Sequence, residues 1–320
     1  MLIVVLTKDR PDRLLRSLPS YAGARHPIVL LDDSCDLSLR SDNALLAKRF
    51  GVQYHGPSEQ AKVIRNMEGA ELEQIVGGLG KLRWNLANNR NYALLLARRS
   101  HATSVLMCDD DVCIGSSDDL ELVSAALKEH AIVGCEVNGM PDHSIVGHLY
   151  KAGGELIQPQ CASGMFMAMR LDAVTQCYPN TYNEDWIWLT LQAQGNALQL
   201  VRITQLEYDP FTDLDHRLPF QEQGELFFEG VYQAVSEANL AQLSHASFWG
   251  KVLTQRMEKI AHLQTLELRL GQSDLMKEVH TRAMHYLSGL NVTILTGLWT
   301  DYQHRLRTWE SIWTSKQTMI

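Results

Sequence analysis

The chain has 320 residues, 45% hydrophobic and 21% charged, the balance of an ordinary globular protein with room for one large domain or one domain and an appendage. Its net charge of -8 argues against a nucleic-acid partner, which a surface rich in Lys and Arg would track. A small phosphate-bearing ligand, held by one or two arginines and a metal, is still compatible with that charge. The run Leu2 to Leu6 is too short for a signal-peptide core, and no stretch has the length to cross a bilayer. A cytoplasmic protein is therefore expected, with peripheral membrane contact left open. Cysteines 35, 108, 113, 135, 161 and 177 show no zinc spacing and read as buried reduced thiols.

Along the first two-thirds, strands alternate with helices. Leu2-Ile3-Val4-Val5-Leu6 reads as a buried strand, followed by a turn at Asp9-Arg10-Pro11 and a helix carrying Leu14, Leu15 and Leu18. Ile28 to Leu31 is a second buried strand ending at Asp32-Asp33-Ser34, and a helix near 41–50 and a short strand near Val52 follow. Continuous apolar strands of this kind indicate a parallel sheet covered on both faces. Residues 56–80 show weak periodicity and read as a mobile loop ending Gly77-Gly78-Leu79-Gly80. No Gly-Lys-Ser/Thr follows those glycines, so they are not a phosphate loop.

A helix from about Trp84 to Arg99 leads to the apolar run Ser104 to Cys108, which ends in Asp109-Asp110-Asp111. Clustered carboxylates at a strand end are costly unless solvent or a cation neutralises them. Alternation puts Asp109 and Asp111 on one side and Asp110 on the other, so the outer pair can share a hard divalent ion. An acidic, solvated loop is the plainer alternative. Next come a helix near 118–129, strands at Ile132 to Cys135 and Gly164 to Met169, a helix from Glu184, and a strand at 198–203. From about residue 222 the apolar period is helical, through Leu253, Met257 and Ile260 to Trp299, Tyr302, Leu306 and Trp309. Gly271-Gln272-Ser273 and Ser288-Gly289 punctuate these helices. Two units are expected, 1–221 and 222–320, the second packing its apolar stripes on the first or on a helical partner.

Four charged clusters each follow a predicted strand, at the edge where open parallel sheets take ligands: Thr7-Lys8-Asp9-Arg10-Pro11, Asp32-Asp33-Ser34, Asp109-Asp110-Asp111 and Asn183-Glu184-Asp185-Trp186. In order and context, residues 1–216 resemble the GT-A glycosyltransferases, particularly the family 2 group. The first cluster is similar to the family's Thr-x-Asn-Arg-Pro signature, with Asp9 in place of Asn. Leu31-Asp32-Asp33-Ser34 is similar to the Val-Asp-Asp-Gly-Ser run, whose second aspartate holds the nucleoside base. Arg90-Asn91 with Ala93 matches the Ala-Arg-Asn helix, although Asn89 stands where Ala is common. Asp109-Asp110-Asp111 resembles the DxD metal motif, and Glu184-Asp185 the pair whose aspartate is the base of inverting members. Ala162-Ser163-Gly164-Met165 corresponds to a segment lining the substrate pocket.

The resemblance implies an α/β GT-A fold, a mostly parallel sheet flanked by helices, here with a C-terminal helical extension. It implies a nucleoside-diphosphate-sugar donor and Mn²⁺ or Mg²⁺, with an acceptor that is a glycan, lipid, small molecule or protein. Donor-binding residues would be Thr7, Asp9, Arg10, Asp33, Arg90, Asn91, Asp109 and Asp110. Asp111 would lead the metal ligands, with Asp109 and His216, the latter in the region where many such enzymes place a histidine. Asp185 would be the base and Glu184 its support, with Gly164 and Trp186 on the acceptor side and Tyr178 and Tyr182 as secondary candidates. For Asp185 the plain alternative is a helix cap; for Arg90, a structural salt bridge; for Trp186, a buried anchor; for His216, a surface residue. His143 and His148 read as structural or exposed.

Competing readings are a retaining transferase, a nucleotidyltransferase and a non-catalytic binding module. The second would need a glycine-rich first turn that Lys8-Asp9-Arg10-Pro11 lacks. The third would use the tail's tryptophans, 249, 299, 309 and 313, as a working surface, and a homodimer through the C-terminal helices is left open.

Overall fold

The computed structural model describes residues 1–65, 70–139, 143–152, 162–193, 197–270 and 274–314. Strands β1 (Leu2–Thr7), β2 (Ile28–Asp32), β3 (Gln53–His55) and β4 (Ser104–Asp109) pair in parallel, and β1 is buried along its whole length. With β5 (Val112–Ile114), β6 (Ile132–Gly139), β7 (Phe166–Arg170) and β8 (Leu198–Gln205) they form a sheet of order β3-β2-β1-β4-β7-β6-β8-β5. The β6–β8 pair is also parallel, whereas β7 runs antiparallel to both neighbours and β5 antiparallel to β8. Register places Thr7 beside Asp32 and Leu6 beside Asp109, so three strand ends carrying charged turns stand side by side.

Alternation along β1 divides the interior into two layers. Ile3 and Val5 face α1 (Pro11–Ser17), α2 (Leu37–Arg49) and α6 (Ser117–Ala126) through Leu14, Ala47, Leu120 and Val123. Leu2, Val4 and Leu6 face the opposite layer, which begins with α3 (Pro57–Arg65), α4 (Ala70–Val76) and α5 (Leu86–Arg99). It continues through α7 (Ile145–Ala152), α8 (Glu184–Ala193) and α9 (Leu214–Ser236) to α10 (Ala246–Leu270), α11 (Asp274–Ser288) and α12 (Thr293–Thr314).

The expected loop at 56–80 instead holds α3 and α4, while its glycine-rich end at 77–80 is non-helical. Its helical period is hidden because the buried position of α3 is Gln60, a polar residue that bonds Val76 O and Leu79 N. The glycines that follow are needed for their backbone, since Gly78 and Gly80 have φ of 91° and 67°. Helix α9 passes without a break through the expected 221/222 boundary.

The tail's tryptophans are interior: Trp249, Trp299, Trp309 and Trp313 are all buried in the core they share with the sheet. They make no outer working surface. Cys35 is exposed and Cys113 half-buried, against the expectation of buried thiols, while Cys161 lies outside the described residues. The punctuation at 271–273 also lies outside them.

Candidate active site

At the C-terminal ends of β1, β2 and β4 lies a cavity of about 540 Å³, the size of a small-molecule site. Thr7, Lys8, Arg10, Asp33, Asp109, Asp111 and Glu184 line it together. Around it the chain turns through left-handed Asx residues, Asp9 (φ 54°) after β1, Asn183 (φ 59°) before α8 and Asp213 (φ 54°) before α9. Asn and Asp tolerate that conformation better than other side chains, and it concentrates where turns are tightly specified.

Asp33 lines the cavity just after β2. Its carboxylate takes hydrogen bonds from Lys8 Nζ (3.1 Å), Gly80 N (2.8 Å) and Asn85 Nδ2 (3.4 Å). Burial pushes its pKa up, against the pull of Lys8 and the Gly80 N–H. The glycine-rich segment, rejected as a phosphate loop, therefore folds onto the aspartate expected to hold the nucleoside.

The three aspartates after β4 divide as alternation requires. Asp109 and Asp111 face the cavity, and Asp110 is fully buried behind them. Asp110 accepts from Thr7 Oγ1 (2.6 Å) and pairs with Arg10 (2.9 Å), which also reaches Asp111 at 3.5 Å. Burial raises Asp109 to about 6 and Asp110 to about 7, while Arg90 and Arg10 respectively pull them down. Asp111 Oδ1 is buried and has no hydrogen-bond partner among the described residues. An orphaned carboxylate oxygen of that kind is costly unless a cation meets it.

Arg90 is enclosed on α5, which is buried from Ala87 to Ala97. It donates to Gly164 O (3.0 Å), pairs with Glu184 (3.2 Å) and lies 3.6 Å from Asp109. Burial opposes its charge, but Glu184, Asp109 and Asp185 together hold its pKa above the usual arginine value. Burial likewise drives Glu184 up to about 8, with Arg90 opposing. Asp185 does not line the cavity; its Oδ2 accepts from Gly164 N at 2.7 Å. A Cβ at Gly164 would collide with both the Arg90 guanidinium and the Asp185 carboxylate, so the backbone passes between them only as glycine.

Several expected residues face elsewhere. Asn91 braces the Tyr178 backbone at 2.7 and 3.2 Å, and Asp9 Oδ1 takes the N–H groups of Cys35 and Asp36, so each spends its polar atoms on the scaffold. Trp186 packs against Phe228 (5.3 Å) as a partly buried anchor rather than a platform. Exposed His216 bonds its own neighbour Asp213 at 2.9 Å and does not line the cavity. His143, read from the sequence as structural or exposed, does line it.

Other lining residues carried no sequence signal. Trp84 stacks on Phe220 (4.7 Å, 7°), Phe220 meets Tyr182 edge-on (6.1 Å), and Arg13, Arg83 and Arg217 stand among them. Phe220 and Arg217 sit one turn apart on α9, a helix that reads as scaffold until its packing is known.

Among the described residues, no group of three His, Cys, Asp or Glu side chains is gathered to hold a metal alone. The two carboxylates that line the cavity, Asp109 and Asp111, each with a buried oxygen that no described residue hydrogen-bonds, do fit an ion that takes its remaining ligands from a phosphate-bearing substrate. No described helix is long and apolar enough to cross a membrane.

No protein-family model and no curated protein matches the chain by sequence. Solved structures do match. The chain is similar to mannosyltransferase PcManGT from Pyrobaculum calidifontis, determined with GDP-Man and Mn²⁺, at 15% identity over 94% of this chain and 87% of that one, with a TM-score of 0.50. It is also similar to glucosyl-3-phosphoglycerate synthase from Mycobacterium tuberculosis, at 14% identity over 72% and 79% of the two chains, with a TM-score of 0.47. At such identity the likeness is one of fold: the chain has the GT-A fold, with helices following the sheet domain.

Proposed function

We propose that this protein is a metal-dependent glycosyltransferase that moves a sugar from a nucleoside-diphosphate-sugar to an acceptor hydroxyl. The observation that carries the reading is the gathering of Asp33, Asp109, Asp111 and Glu184 on one cavity at the ends of three adjacent strands. Asp33, steadied by Lys8 and Gly80, would hold the nucleoside. Bound by Asp111 and Asp109, Mn²⁺ or Mg²⁺ would offset negative charge on the departing nucleoside diphosphate. The structural neighbour in complex with GDP-Man and Mn²⁺ makes those the first donor and ion to try.

Proton removal falls to Glu184 in this reading. It reaches the cavity, whereas Asp185, the first choice from the sequence, is turned toward Gly164. A carboxylate with its pKa raised toward 8 is a stronger base than an ordinary one. Arg90 holds it in place and orients Gly164 on its other side. A single displacement assisted by this base inverts the anomeric centre.

A thermal-shift screen of UDP-, GDP- and other nucleotide sugars, with and without Mn²⁺, tests the proposal. One nucleotide sugar should stabilise the protein only with the ion, by about 2.7 kcal/mol at a hundredfold excess over Kd. Asp111→Ala should abolish that response. Stabilisation indifferent to both the ion and the substitution would refute the reading, and a product of retained configuration would refute the role of Glu184 as base.

A further inference from the structure

Charge pairing around the cavity is uneven. Lys8 is matched by Asp33, Arg10 by Asp110 and Asp111, and Arg83 by Asp213. Arg13 and Arg217 line the same cavity and are not matched in this way. Arg217 Nη1 donates to Thr212 Oγ1 (3.1 Å) and Thr212 O (3.4 Å), and it forms no ion pair among the described residues. Arg13 Nη1 donates to Glu207 O (2.7 Å), and its nearest carboxylate is the exposed Asp12, at 3.9 Å. Asp209, the other acid in this part of the lining, accepts from Phe211 N (2.9 Å) and pairs with neither arginine.

Both guanidinium groups are thus tethered by main-chain oxygens of one segment, that between β8 and α9. Each has five N–H donors, so each keeps donors to spare after these bonds. Two such forks at one cavity, short of counter-charge, suit a planar carboxylate or a phosphate.

Both arginines hang from the 206–213 segment, whereas Asp33 is held by Lys8 and Gly80. Arg217 comes from α9, which also brings Phe220 to the cavity, and the Phe220 ring meets Tyr182, two residues before Glu184. Phe220 also stacks on Trp84 (4.7 Å), next to the Asn85 that bonds Asp33, so the arginines and Asp33 share one cavity. We propose that Arg13 and Arg217 form an oxyanion subsite beside Glu184 that takes a phosphate or carboxylate group of the acceptor. The word acceptor rests on the transferase reading; the subsite itself rests on the two arginines.

Calorimetric titration of the full chain with inorganic phosphate tests it, once on nucleotide-free protein and once on protein saturated with Mn²⁺ and UDP or GDP. One phosphate per chain is expected in both states. Arg217→Met and Arg13→Met should each weaken it by about tenfold or more, as loss of a charge-assisted hydrogen bond does. Arg217→Lys and Arg13→Lys should recover part of the loss, and melting temperatures will show that all four variants fold. Nucleotide affinity should stay within roughly twofold of wild type.

Phosphate that fails to bind, or that binds the Met variants as well as wild type, overturns the subsite. Phosphate displaced by the nucleotide, or variants that lose nucleotide affinity in parallel, would assign the arginines to the donor and overturn the acceptor assignment. Should no nucleotide bind with Mn²⁺ at all, the transferase reading fails on its own, and the nucleotide-free titration still decides the subsite.

Discussion

Glu184 and Asp109 are held in a balance that pH should expose. Burial lifts Asp109 to about 6, Asp110 to about 7 and Glu184 to about 8, each above the ordinary carboxylate range. A carboxyl with a raised folded pKa binds its proton more tightly in the folded state than in the unfolded one. Its contribution is complete below the unfolded value and declines as pH rises to the folded value. The metal-free protein should therefore lose stability between about pH 4 and 8, and Glu184→Gln should flatten the upper part of that decline. Melts at a series of pH values will read this, and a wild-type curve rising across the window would contradict it. In turnover, Glu184→Gln should cost about 10² to 10⁴ in kcat while nucleotide binding persists. Asp185→Asn should cost less, acting through Gly164. The reverse order would return the base to Asp185.

Among the elements, α9 and α10 are joined by an ion cluster deep between them. Arg256 bonds Glu222 at 2.8 and 3.1 Å and Glu229 at 2.9 Å, with Glu225 at 4.0 Å, and Lys259 meets Glu229 at 3.2 Å. Arg256, Glu222 and Glu225 are each about 1% exposed, so removing the cation strands carboxylates in the interior. Arg256→Met should destabilise the protein by about 3–5 kcal/mol, measured by urea unfolding. A loss under about 1 kcal/mol would mean that the cluster is solvated. Not every helix was legible in the sequence. The enclosed face of α3 carries Gln60, and that helix reads as a loop, whereas α5 is expected from the sequence although it buries Asn88, Asn89, Arg90 and Asn91 beside its leucines. Polar residues satisfied by distant partners break the apolar period that marks a buried helix. The inner strands were legible because their side chains meet apolar layers on both faces, leaving runs of Val, Ile and Leu.

For the molecule as a whole, the acids at strand ends were legible because each interrupts an apolar run at a predictable edge. Trp84, Phe220, Arg13 and Arg217 were not, since only the packing of a loop and two helices turns them to the cavity. The same packing ties the C-terminal helices to the loop that holds Asp33. Arg305 on α12 donates to Asn88 Oδ1 (2.8 Å) and to Gln74 O (2.7 Å), and Asn88 Nδ2 in turn donates to Gly77 O (3.2 Å). Three residues on, Gly80 N holds Asp33 (2.8 Å). The extension thus braces the loop that meets Asp33, the residue proposed to hold the nucleoside, and its tryptophans complete the core layer behind α5. A chain ending at Ser236 would lack α10–α12, uncovering that layer and releasing Asn88, so it should aggregate rather than persist as a smaller enzyme. Arg305→Met is the finer probe, because it cuts the brace and leaves the helices in place. It should weaken binding of the nucleoside diphosphate by about tenfold, the worth of a buried hydrogen bond to a charged group, at a modest cost in melting temperature. Soluble, nucleotide-binding protein from the shortened chain, or unaltered affinity in Arg305→Met, would show that the sheet domain arranges its donor loop unaided.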